Sequence, residues 1–140
     1  MGSEPRSEPR SDPRSDPLSS LLFVYGTLMR GEKNHGLMSR ASFVGDAATP
    51  AGFALVSFGE HPGLVREGSG TVRGELWLVD AGVRDELDRF EDHPRFFRRE
   101  PIVLGDGGLA EAYLPVEDVT RLPRIAGGDW RGRGATPSEP

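Results

Sequence analysis

The chain has 140 residues, enough for one domain with a proper core and short for two. Its formal charge is −5 at pH 7, from 22 acidic against 17 basic residues, so a long polyanion such as nucleic acid meets net repulsion and a basic partner or a small molecule is favoured. The absence of cysteine excludes disulfides, thiolate nucleophiles and thiolate-held metals, and leaves any chemistry to oxygen and nitrogen groups.

Residues 3–17 repeat Ser-Glu/Asp-Pro-Arg with no apolar side chain until Leu18, and proline at every fourth position blocks both helix and sheet. A disordered leader is expected over 1–19. Leu21 to Val24 is the longest apolar run and is far too short to span a bilayer, and no basic-then-apolar signal precedes it. The expectation is a cytoplasmic protein without a membrane segment, a monomer or weak homo-oligomer.

Leu21 to Tyr25, closed by Gly26, predicts a buried core strand entering a tight turn. Residues 31–40, broken by Gly36, predict a short helix over the strand's exit. Phe53 to Val56 reads as a strand and 59–63 as a turn. Thr71 to Val79 alternates clearly, with Arg73, Glu75, Trp77 and Val79 on one face and Val72, Gly74, Leu76 and Leu78 on the other. Asp80 is placed to cap a helix whose Val83, Leu87, Phe90 and Glu91 recur at spacings of three and four, with Pro94 as its stop. Ile102 to Leu104, a glycine-rich turn and Leu109 to Val116 predict a hairpin. Five or six strands and two or so short helices make the class α+β with a strongly curved sheet, occupying 20–125, and the Gly- and Pro-rich 126–140 is expected to be a flexible tail.

A buried strand that breaks into Tyr25-Gly26-Thr27-Leu28 creates a place where successive N–H groups are unused by the sheet and can converge on an oxygen anion. Gly26 permits close approach and Thr27 adds a hydroxyl. An ordinary strand-ending turn is the alternative. Residues 26–31 lack the Gly-Lys-Ser/Thr of a phosphate loop.

Phe23-Val24-Tyr25-Gly26-Thr27-Leu28 with Arg30-Gly31 and Asn34-His35, then Phe43-Val44-Gly45, Gly74-Glu75-Leu76-Trp77 with Val79-Asp80, and Leu87-Asp88-Arg89-Phe90-Glu91 with Pro94 and Arg99, resemble the γ-glutamyl cyclotransferase-like proteins. These include γ-glutamylamine cyclotransferase and the AIG2-like proteins. The resemblance implies a small curved mixed sheet, close to a barrel, with its cavity at the end of the first strand. It also implies an amide-cleaving transferase that needs no cofactor: the α-amine of a γ-glutamyl group attacks its own γ-carbonyl and expels an amine or amino acid, leaving 5-oxoproline. A binding module that kept the cradle and lost turnover is the alternative.

The resemblance implies that Glu91 is the catalytic acid and base. Its position beside an apolar helix stripe, near the unfavourable end of the helix dipole, agrees with a raised pKa; pairing with Arg95, Arg98 or Arg99 is the other reading. Glu75 is a rival carboxylate that could bind the substrate ammonium, act as the base, or be merely solvated. The resemblance sets the substrate's carboxylate or carbonyl oxygen against Gly26, Thr27 and Leu28, with Tyr25 packing nearby. Arg99 could tether a carboxylate, lock the loop of Glu91, or form a surface ion pair. Phe97 stands where some relatives carry an aromatic hydroxyl, and Tyr113 could supply one or be a core aromatic. Asp80 and Asp88 read as cap and helix-surface residues. His35, His61 and His93 have no paired spacing, so no metal site is expected.

Overall fold

The structure is a computed structural model that describes residues 19–132. The expected leader and the last part of the expected tail lie outside these residues. Seven strands are present: β1 Ser20–Val24, β2 Ser42–Ala48, β3 Phe53–Ser57, β4 Pro62–Gly70, β5 Arg73–Val79, β6 Phe97–Val103 and β7 Leu109–Pro115. The single α-helix among the described residues, α1 Ala81–Phe90, follows β5.

β1 lies at the centre of a five-stranded sheet ordered β2-β5-β1-β7-β6, antiparallel to β5 and parallel to β7. Its consecutive apolar residues Leu22, Phe23 and Val24 are all buried because both faces of a central strand are covered. β3 and β4 form a separate two-stranded sheet. The sheet is mixed, as expected, but it stays open, with β2 and β6 as its edges, so the barrel is not closed. Gly74 is required where β5 crosses β1: a Cβ there would stand 2.3 Å from the Val24 carbonyl oxygen and 2.8 Å from the Phe23 ring.

Three local expectations are corrected. The helix over 31–40 reduces to a 3-10 turn, His35–Met38, because this stretch folds as successive tight turns pinned back to the strand exit by Asn34 N–H donating to the Thr27 carbonyl at 2.9 Å. The turn expected at 59–63 runs into an unexpected strand, β4, the longest of the described strands, paired with β3 from Ser57↔Pro62 to Ala54↔Val65. The fold also runs past 125: Ala126–Gly128 and Trp130–Gly132 are 3-10 turns, and Trp130 is buried in the core.

α1 starts as its sequence dictates, with the Asp80 carboxylate accepting from Val83 N–H at 2.8 Å. It buries Val83 and Leu87 completely. Its stop is not Pro94. Asp92 adopts a left-handed φ of 57°, its N–H donates to the Arg89 carbonyl, and His93 N–H donates to the Asp88 carbonyl, the two bonds of a Schellman cap. Glu91 is the C-cap residue, so the helix terminates on it.

Candidate active site

The strand end, the helix end and the β6–β7 sheet edge converge on a cavity of about 240 Å³. Tyr25, Gly26, Thr27 and Leu28 form one wall and Glu91 stands in another, with Phe23, Val24, Phe97 and Pro62 supplying apolar surface. No described backbone carbonyl accepts from the N–H groups of Gly26, Thr27 or Leu28. The turn is held from the other side instead. Met29 N–H donates to the Gly26 carbonyl at 3.1 Å, Asn34 Nδ2 donates to Thr27 Oγ1 at 3.0 Å, and His35 Nδ1 lies 2.9 Å from the Leu28 carbonyl oxygen. Because Thr27 Oγ1 accepts from Asn34, its own hydrogen remains available to donate. Gly26 is required sterically, since a Cβ would stand 2.6 Å from Cγ of the rigid Pro62 ring.

Burial pushes the Glu91 carboxyl up from 4.5 to about 7, so the proton is shared near neutral pH. None of the ion pairs among the described residues involves Glu91; the pairing with Arg95, Arg98 or Arg99 does not form. Arg95 pairs with Asp92 at 2.6 Å and Arg98 with Glu100 at 3.1 Å. Burial first, and then the Glu91 charge, drive the Tyr25 phenol upward, which keeps it a neutral donor, and it donates to the Tyr113 carbonyl.

Arg99 does not line the cavity. It bonds the Asp88 carboxylate, lies 3.2 Å from Glu111 Oε1, and donates its backbone N–H to His93 Nδ1 at 3.0 Å. It thereby ties both sides of the Glu91 turn to the sheet. Asp88 is consequently not a surface residue: it also accepts the Tyr113 hydroxyl at 2.6 Å. Burial opposes ionisation of Asp88, but the Arg99 and Tyr113 hydrogen bonds outweigh it and hold its carboxyl below the usual range. Tyr113 lines the cavity while its hydroxyl points to Asp88, so it does not replace the hydroxyl missing at Phe97.

Glu75 is fully buried and lies behind the cradle, outside the cavity. Its oxygens accept from Arg30 N–H at 3.0 Å, Arg30 Nε at 2.9 Å, Trp77 Nε1 at 3.0 Å, and Arg131. Burial alone would raise its pKa, yet these donors lower it, so it is a fixed anion. Sequence reasoning had no signal for this network, because Arg30 and Arg131 lie 45 and 56 residues from Glu75. Lys33, from the strand exit, and Glu60 and His61, from the β3–β4 turn, also line the cavity, although the sequence assigned none of them an individual site role.

Fold and site together define a small mixed-sheet domain in which free backbone donors and a protonatable carboxylate line one apolar-walled pocket. Residues 22–132 match the family model described as "Gamma-glutamyl cyclotransferase, AIG2-like". The chain belongs to that family. A Vibrio cholerae protein provisionally named gamma-glutamylcyclotransferase is 39% identical over 113 residues, covering 81% of this chain and 96% of that protein. Mouse gamma-glutamylaminecyclotransferase is 42% identical over 101 residues, 61% of this chain and 68% of its own. The crystal structure of a mouse AIG2-like protein superposes with a TM-score of 0.68 at 30% identity, covering 76% of this chain and 85% of that one.

Proposed function

We propose that this protein is a γ-glutamyl cyclotransferase with Glu91 as its general acid and base. The observation that carries the reading is that Glu91 lines one cavity with the unused N–H groups of Gly26, Thr27 and Leu28, where burial pushes its carboxyl up to about 7. Glu91 removes a proton from the α-ammonium of the γ-glutamyl group, and the freed amine attacks the γ-carbonyl carbon. The cradle holds an oxygen anion of the substrate, either the carboxylate that orients it or the oxyanion that develops during attack. The new ring C–N bond forms and the original C–N bond breaks, while Glu91 passes to the departing nitrogen first the α-ammonium proton and then the proton shed by the ring nitrogen, so that the amine leaves as its ammonium. The products are 5-oxoproline and the free amine, with no redox change and no cofactor needed. Tight walls favour the folded conformer in which the amine reaches its own carbonyl. Family membership supports the same chemistry.

Incubation with a panel of γ-glutamyl amines and amino acids, read by mass spectrometry, tests the proposal. The expected product is 5-oxoproline. Turnover that persists in Glu91→Gln removes Glu91 from the role of base, and binding across the panel without turnover makes the protein a sensor of γ-glutamyl compounds.

A further inference from the structure

The side of the cavity open to solvent, its mouth, carries an aromatic surface that the cyclisation itself does not use. Phe58 and His61 stack with centroids 4.8 Å apart at 14°, and Phe96 packs edge-on against Phe58 at 5.7 Å and against Phe97 at 5.1 Å. His61, Phe96 and Phe97 all line the cavity. The ring of Phe96 remains 43% exposed, as does Phe90, the residue before Glu91. Two half-open phenylalanines lining the same cavity as a protonatable carboxyl present unsatisfied apolar area at the site. Burial, the main influence, lowers the pKa of His61, so this ring joins the wall as a neutral aromatic.

The charges at the mouth are already engaged. Lys33 holds Glu60 at 2.8 Å, and Asp92 holds Arg95 at 2.6 Å. Among the described cavity-lining residues Lys33 is the one formal cation, against Glu60, Glu91 and Asp92. A leaving group that brought its own carboxylate would enter a field with no surplus positive charge.

We infer that the mouth selects γ-glutamyl amides whose leaving amine carries an apolar, ring-bearing body and no carboxylate, with Phe96 and His61 as the specificity-determining residues. This rests on the cyclotransferase reading. The leaving amine faces Glu91 to receive its proton, and its substituent lies along the Phe96 ring, covering surface that is otherwise wet. Offset or edge-to-face contact favours an aromatic body over an alkyl one of equal size.

The test compares γ-glutamyl-phenethylamide, γ-glutamyl-ethylamide and γ-glutamyl-phenylalanine, in which the last differs from the first by one carboxylate. Calorimetric binding to Glu91→Gln is measured alongside wild-type kcat/KM. The expectation is a preference of about tenfold or more for the phenethylamide over each of the others, in both measurements. Phe96→Ala should weaken phenethylamide binding about tenfold more than ethylamide binding, erasing the advantage, and Phe96→Tyr should restore it. Equal or better binding of γ-glutamyl-phenylalanine overturns the inference, as does a Phe96→Ala loss of the same size for all three. The binding preference without turnover upholds the recognition surface and sinks the enzyme reading alone; no binding of any of the three overturns both.

Discussion

Replacing Glu91 by Gln should abolish cyclisation and, at the same time, stabilise the protein in a pH-dependent way. In the unfolded chain the carboxyl titrates at its ordinary value of 4.5, whereas the fold holds it at about 7. A raised folded pKa means the native state binds the proton more tightly. The favourable contribution is therefore complete below pH 4.5 and is lost as the pH rises through 7. Each pKa unit is worth about 1.4 kcal/mol, so the ionised carboxylate above pH 7 costs up to about 3 kcal/mol relative to a neutral group, and less to the extent that cavity water solvates it. Gln fills the same volume and never ionises. Urea titrations at intervals from pH 4 to 9 should show the variant and wild type converging on a constant offset at acid pH. They should diverge by about 1 to 3 kcal/mol above pH 7, a melting difference on the order of 10 °C. A difference that is flat across that range would mean that Glu91 is not displaced by burial, and with it would go the physical basis for its role as the acid and base.

Glu75 and Asp88 should act in the opposite sense: their folded pKa values are lowered, so their stabilisation is full above the ordinary carboxylate range and fades as the pH falls through the folded values, which acid unfolding of Glu75→Gln and Asp88→Asn would register as a shallower loss than wild type. Gly26→Ala drives a methyl into the Pro62 ring and should cost about 1 to 3 kcal/mol by denaturant melt, with weakened 5-oxoproline binding because the cradle must shift. Asp92→Gly relieves a left-handed residue while losing only a solvent-exposed pair with Arg95, and should gain about 1 kcal/mol in the same assay; a loss would show that the pair outweighs the backbone. Arg131→Ala removes one of the donors to a buried carboxylate and should destabilise by about 1 to 3 kcal/mol, with Trp130 fluorescence reporting release of the C-terminal turn.

What could be read in the sequence was whatever is written locally. The apolar run of β1, the alternation of β5, the Asp80 cap and the glycine-rich hairpin turn each depend on neighbours a few residues apart, and each appears in the structure. Glu91 and the Tyr25 to Leu28 turn were singled out together, and the fold brings them to one cavity. The pattern failed where a partner decides the state of a residue. Pro94 looked like the helix stop, yet the cap is made two residues earlier by the backbone of Asp92. Asp88 looked like a surface acid because Arg99 and Tyr113, its partners, lie 11 and 25 residues further on. Glu75 was read as a candidate ligand for substrate because the arginines that neutralise it come from other parts of the chain. β2 and β4 escaped because their runs are polar or glycine-broken and gain strand geometry from β5 and β3.

The position of β1 has a consequence for how the molecule comes to exist. This strand is the first in the described chain, but its two sheet neighbours are the fifth and the seventh, separated from it by tens of residues. Among the described residues its sheet partners are made only later in synthesis, so its apolar Leu22, Phe23 and Val24 lack their sheet neighbours until β5 and then β7 arrive. The carboxyl of Glu91 lies between those two arrivals in the sequence. No N-terminal fragment shorter than the full sheet can therefore assemble the pocket, and a chaperone that covers nascent apolar strands would find its longest task at β1.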